Sequence, residues 1–184
     1  NIGLSLDNLG QYNKAKKFYR KVLTFHSTNW HELWVLGLAA GKLGQYKKAI
    51  KYYDKVLKIN PDHVDAWINK SWCLNNLHKH DDALTCLMDV QKRLPDMAQD
   101  VILNGIGWTY HLQKKYSEAL PFYNRSIKQN KNYVHVWNSK AVTLYKLKKY
   151  PQALICCKKA VKLGTKDKET LACFEKIKKK LNKP

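Results

Sequence analysis

The sequence predicts an all-α solenoid, built of stacked helix–turn–helix units around no single central core. Three observations carry this. The segment Leu43-Gly44-Gln45-Tyr46-Lys47-Lys48-Ala49, running on to Asn60-Pro61-Asp62, reads as a helix end, a tight turn, a second helix and a stop. Its parts return along the chain: Ala15, Ala49, Ala83, Ala119 and Ala153 stand 34, 34, 36 and 34 residues apart. Three residues ahead of each alanine comes an aromatic ring or a histidine, at Tyr12, Tyr46, His80, Tyr116 and Tyr150. Self-similarity at such a period marks a solenoid, whose units bury their faces against their neighbours.

Phasing on the alanines divides the 184 residues into a partial unit 1–29, units 30–63, 64–99, 100–133 and 134–167, and a closing segment 168–184. In the first, Leu9-Gly10-Gln11-Tyr12 makes the turn, and a helix to about Phe25 carries Phe18, Val22 and Phe25 on one face. In the second, Gly37 lets two helices approach closely, Gly44 ends a helix in a left-handed conformation, and Pro61 stops the next one. The third carries Trp67, Leu74 and Leu77 as a buried stripe with Ser71 as its small contact residue. Two extra residues fall after Pro95, within 96–99, where they lengthen a loop and leave helix phase intact. Gly107 and Tyr116 in the fourth unit, and Trp137, Ala141, Leu147 and Tyr150 in the fifth, repeat the pattern. Asp167 is a natural N-cap for a last helix whose stripe is Leu171, Phe174, Ile177 and Leu181, a cap over the final unit.

The net charge is +20. Such a surface draws acidic partners. Five cysteines, odd in number and without a C-x-x-C pair, read as reduced, core-filling thiols of a cytoplasmic protein. No apolar run reaches the roughly 20 residues of a membrane helix. The chain begins partway through a unit and without Met, which reads as a fragment of something larger. No phosphate-binding glycine loop, metalloprotease motif or nucleophile elbow is present, so the sequence predicts neither an enzyme nor a cofactor. His78 and His80 beside Asp81 and Asp82 read as a polar turn.

The alanine, the preceding aromatic, the small residues and the prolines together resemble the tetratricopeptide repeat (TPR). Trp67, Ser71, His80, Ala83, Leu87, Val90 and Pro95 show one unit filling that pattern, with departures at His80, Leu87 and Val90. The resemblance implies a right-handed superhelical solenoid of antiparallel helix pairs with a C-terminal capping helix. It also implies an adaptor or scaffold that binds a protein or peptide in a concave groove lined by the first helices. Carried over residue by residue, the groove would present Trp34, Leu38, Ile68, Trp72, Asn75, Asn104, Trp108, His111, Asn138 and Tyr145. Tryptophans on such a row mark contact sites. Asn104 and Asn138, at one register position in neighbouring units, could hold a peptide backbone, because an amide both donates and accepts. Trp67 and Trp137 read as core. The carboxylate clamp that some TPR proteins use for acidic chaperone tails is missing, since Trp34, Leu38, Ile68, Trp72 and Ser139 occupy its places.

The lysines mostly decorate the second helices and the end of the chain. Lys47, Lys51 and Lys55 form one row, and Lys158 and Lys162 another. The second reading is therefore a basic outer face that binds an acidic protein, an anionic membrane or nucleic acid. Nucleic acid is not favoured, because the aromatics that would stack on bases lie away from these lysines. A homo-oligomer, or a regulatory module of a larger enzyme, also fits the pattern.

Overall fold

The computed structural model of the chain describes residues 5, 6 and 9–181. The structure is all-α: among the described residues there are ten full helices and no strand. They are α1 (Tyr12–Val22), α2 (Trp30–Lys42), α3 (Tyr46–Ile59), α4 (Val64–Asn76), α5 (His80–Arg93), α6 (Gln99–Leu112), α7 (Tyr116–Gln129), α8 (Val134–Lys146), α9 (Tyr150–Lys162) and α10 (Lys168–Leu181). They fall into two compact units, one up to Arg93 and one from Leu94.

In the first unit α2 pairs with α3, α4 pairs with α5, and α1 packs on α2. Its core gathers Leu33, Leu36, Ala49, Tyr53, Val56, Ala66 and Cys73. In the second unit α6 pairs with α7, α8 pairs with α9, and α10 packs on both α8 and α9. Ala119, Tyr123 and Val136 form one cluster there, and Ala141, Leu144, Ala153, Cys157, Cys173 and Ile177 another.

The five marker alanines are fully buried, which is why nothing larger recurs at that register. The small residue facing each pair has an equally concrete cause. A Cβ on Gly37 would lie 2.6 Å from the Tyr53 ring, and one on Gly107 would lie 2.6 Å from the Tyr123 ring. Glycine and tyrosine thus fill one space jointly, once in each unit.

The tight turns share one hydrogen bond. The Gln45 N–H reaches back to the Ala40 carbonyl at 2.9 Å, with Gly44 left-handed between them. Lys79 repeats it to Leu74, Lys115 to Tyr110, and Lys149 to Leu144. This satisfies a helix-terminal carbonyl and requires a positive φ at the intervening residue. Glycine supplies it at Gly44, but His78, Lys114 and Lys148 adopt φ of 58°, 62° and 59° without glycine's freedom.

Several helix starts are capped by side chains. Asn29 Oδ1 accepts the His31 N–H at 2.8 Å, His63 Nδ1 accepts the Ala66 N–H at 3.2 Å, and Asp167 Oδ2 accepts the Thr170 N–H at 2.7 Å. The two extra residues after Pro95 divide between loop and helix. Residues 94–98 make a connection one longer than 60–63, and α6 has 14 residues where α4 has 13.

Two sequence expectations need correction. Helix α1 ends at Val22, and Phe25, expected on its buried face, is 62% exposed beyond the helix end. Thr24 caps that end by donating its hydroxyl to the Lys21 carbonyl. In α10 the buried stripe is Thr170, Cys173 and Ile177 with Phe174 beside it, and Leu171 faces out. The small thiol of Cys173 fits against Cys157 where a leucine was expected to pack. The Leu181 and Tyr12 side chains lie outside the described residues. Trp67 and Trp137, read as core, pack with half-buried rings against the core clusters of their units. Each donates its indole N–H to the carbonyl of the preceding loop, Pro61 at 2.8 Å and Lys131 at 2.9 Å. A buried tryptophan needs such a partner, and the loop supplies it at the rim.

Candidate functional site

The first helices of the pairs carry the expected contact residues, and each unit treats them differently. In the first unit Trp72 on α4 is 44% exposed. Its ring stands edge-on to Tyr46 at 5.4 Å and covers Gly41, where a Cβ would lie 3.6 Å from it. Trp34 on α2 is half-buried beside His63 and His31, at 5.8 and 6.2 Å between ring centres. Its indole nitrogen is buried without a hydrogen-bond partner. Leu38 and Ile68 are half-buried. Asn75 is only 7% exposed and bonds the His80 ring at 3.0 Å. It ties α4 to the start of α5 and offers little to a ligand, a correction to its expected role.

In the second unit Trp108 on α6 lies flat on His111, with ring centres 4.6 Å apart and planes 8° from parallel. His111 is 8% exposed and is a strut, not a contact residue, the second correction. Its Nδ1 is 2.7 Å from the Thr143 hydroxyl on α8. Thr143 gives its own proton to the Ser139 carbonyl, so Nδ1–H donates to it. Burial first, and the Lys146 charge second, hold the imidazole pKa down to about 4. Asn104 bonds the Tyr133 hydroxyl, and its own carbonyl oxygen is buried without a partner. Asn138 accepts the Thr165 hydroxyl at 2.9 Å. Tyr145 meets Tyr150 edge-on at 5.6 Å.

The outer lysines stand on the second helices as expected. Lys47, Lys51 and Lys55 on α3, and Lys158 and Lys162 on α9, are all exposed. Among the described residues none of them is in an ion pair. Asp54, the acid nearest the α3 row in sequence, is held by Lys70 at 2.6 Å.

The cysteines are all buried as free thiols. Burial pushes Cys73, Cys86 and Cys157 up to about 12, which keeps them protonated and unreactive at neutral pH. Among the described residues no group of His, Cys, Asp and Glu is placed to hold a metal ion. None of the described helices is long and apolar enough to cross a membrane.

Two features escaped the sequence reading. One is a cleft of about 380 Å³ in the first unit, lined by Val22, Phe25, His31, Val35 and Leu36. It exists because α1 stops early and leaves Phe25 outside, which helical periodicity alone hides. The other is the row of lysines at the tight turns of the second unit. The signal for it was present: Lys114-Lys115 and Lys148-Lys149 stand where Gly10-Gln11 and Gly44-Gln45 stand in the first unit.

Antiparallel helix pairs, a recurring buried alanine and a glycine or other small residue against a tyrosine define a helical-repeat scaffold. Sequence profiles described as tetratricopeptide repeat match residues 35–63 and 101–133, 52–85, and 1–25 and 134–163. The chain belongs to the tetratricopeptide repeat family. A comparison with curated protein sequences gives no match. Among solved structures, the chain is similar to a thermophilic TPR protein of Thermus thermophilus, with TM-score 0.80 and 17% identity over 96% of this chain and 95% of that one. A TPR protein of Parabacteroides merdae gives TM-score 0.76 and 18% identity over 98% and 70% of the two chains. YrrB, a TPR protein with an unusual peptide-binding site, gives TM-score 0.61 and 18% identity over 95% and 89%. At these identities the likeness concerns the fold. The fold is that of a protein-interaction scaffold.

Proposed function

We propose that this chain is a non-catalytic adaptor whose first helices hold a peptide or partner segment. Its contacts are Trp34, Leu38, Ile68 and Trp72 in the first unit, and Asn104, Trp108, Asn138 and Tyr145 in the second. The observation that carries this reading is Trp72. A ring 44% exposed on the face of α4, braced edge-on by Tyr46, is apolar surface held rigid in water. Such braced aromatics carry a large share of binding energy when a partner covers them. The peptide-binding site of YrrB is in keeping with this reading.

The test is capture of partners at high salt by the wild type and by Trp72→Ala/Trp108→Ala. The double variant loses the partner while its helical circular dichroism is unchanged. Retention of the same partner at the same affinity would overturn the reading.

The second reading assigns binding to the outer rows, Lys47, Lys51 and Lys55 with Lys158 and Lys162. Their exposure and lack of ion pairs favour it. It requires affinity that collapses as salt rises, and that falls when the three α3 lysines are reversed to Glu.

A further inference from the structure

The second unit gathers unpaired lysines along one edge, beside the face that carries Trp108 and Tyr145. The edge is where α6 turns into α7 and α8 into α9. The His111–Thr143 hydrogen bond, between the last turns of α6 and α8, sets the two turns side by side. Lys114 and Lys115 occupy one turn, Lys146, Lys148 and Lys149 the other. Helix α10 brings its end to the same place, because Lys180 Nζ bonds the Tyr150 hydroxyl at 2.9 Å and lies 4.3 Å from the centre of that ring. Among the described residues none of these five turn lysines is in an ion pair. Glu118 is near in sequence to Lys115 but not in an ion pair with it, and Glu175 is taken by Lys178 at 3.4 Å. In the first unit the corresponding Lys79 is answered by Asp82 at 3.6 Å.

The backbone adds an independent observation. Lys114 and Lys148 sit in the left-handed conformation that the turn requires, at φ of 62° and 59°. The same turn in the first unit is made by Gly44-Gln45 and again by His78-Lys79, where His78 is left-handed at φ of 58°. Lysine there is the more strained choice, so the fold alone does not account for its recurrence.

We infer that this edge is a docking site for an acidic segment of a protein partner, which continues from it onto the face of α6 and α8. The inference rests on the groove reading above and names the chemistry of the segment. Carboxylates fit better than nucleic acid. The tyrosine rings at this edge are half-buried and His111 is buried, and they are engaged edge-on, Tyr145 with Tyr150 and His111 with Tyr116, so they offer bases no open stacking platform. Arginine, which stacks and grips phosphate by its fork, is absent from both turns, where every charge is a lysine.

The test grafts the Gly44-Gln45 turn of the first unit into both turns of the second. The variant Lys114→Gly/Lys115→Gln/Lys148→Gly/Lys149→Gln removes four charges and relieves the strained positions, so it folds at least as well as the wild type. The probe is a short poly-L-glutamate peptide, titrated at low and moderate salt. A control variant, Lys47→Gln/Lys51→Gln/Lys55→Gln/Lys58→Gln, removes the same charge from α3. The turn graft weakens poly-glutamate binding by about tenfold or more, and the α3 variant changes it by less than about threefold. Equal losses in both would mean attraction by net charge alone and would overturn the site. So would tighter binding of an oligothymidylate of equal charge, which would make the edge a nucleic-acid surface, or wild-type chain that fails to bind poly-glutamate. The Trp72→Ala/Trp108→Ala variant serves as the separate check on the groove. If it keeps its captured partner while the turn graft loses poly-glutamate, the groove reading fails and the edge stands.

Discussion

The two units make the same turn with different residues, and the difference separates what the repeat needs from what it tolerates. In the first unit Gly44-Gln45 closes one such turn with glycine, and His78-Lys79 closes the next without it. In the second, Lys114-Lys115 and Lys148-Lys149 close it with the same hydrogen bond and the same left-handed residue. The hydrogen bond is therefore the structural requirement and glycine only its least strained solution. Elsewhere the units agree closely: Gly37 meets Tyr53 as Gly107 meets Tyr123, at the same 2.6 Å for an added Cβ. Variation is concentrated at the exposed turn, where it changes charge without disturbing the packing.

The comparison can be sharpened first through His111, a buried strut for which the first unit has Asn75 bonded to His80 instead. The folded imidazole pKa of about 4 lies below its ordinary 6.5. The unfolded chain therefore takes up the proton first, and stability falls as pH drops from 6.5 towards 4. The full effect is on the order of 3 kcal/mol, read as the difference in unfolding free energy between neutral and acid pH. His111→Gln removes most of that particular pH dependence, leaving the part due to carboxylates.

Next comes the glycine–tyrosine contact. Gly107→Ala and Gly37→Ala each destabilise by about 2 kcal/mol in urea unfolding, since a methyl at 2.6 Å must displace a buried ring. If the two losses differ widely, the units are less alike than the contact suggests. Smaller is the turn itself. Lys114→Gly and Lys148→Gly each stabilise by about 1 kcal/mol or less, relief of the left-handed backbone offset in part by glycine's entropy. The reverse change, Gly44→Lys, costs a similar amount. If Lys114→Gly destabilised instead, the lysine side chain would have a packing role that the exposed turn does not show.

Much of the fold was legible because it rests on burial at fixed spacing. Alanines with no exposure, prolines after second helices and a glycine facing a tyrosine leave strong sequence traces. What escaped depends on local geometry. Nothing in the α1 pattern says that the helix stops at Val22 rather than Phe25, because both ends satisfy the same apolar periodicity. In α10 a cysteine takes the place expected of Leu171, since a thiol packs as a small apolar group. At the candidate site, register placed Trp72 and Trp108 on the first helices. It could not say that His111 would be buried beneath the Trp108 ring, or that Asn75 would serve His80. Those outcomes turn on partners contributed by other segments.

The central claim is that the second unit's turn lysines are held for binding at a cost to the fold. It is tested most directly by measuring two free energies on one protein, the turn graft: its unfolding in urea and its affinity for poly-L-glutamate. The expected changes have opposite signs, a more stable fold and weaker binding. A graft that loses stability, or one that binds as tightly as the wild type, would contradict it.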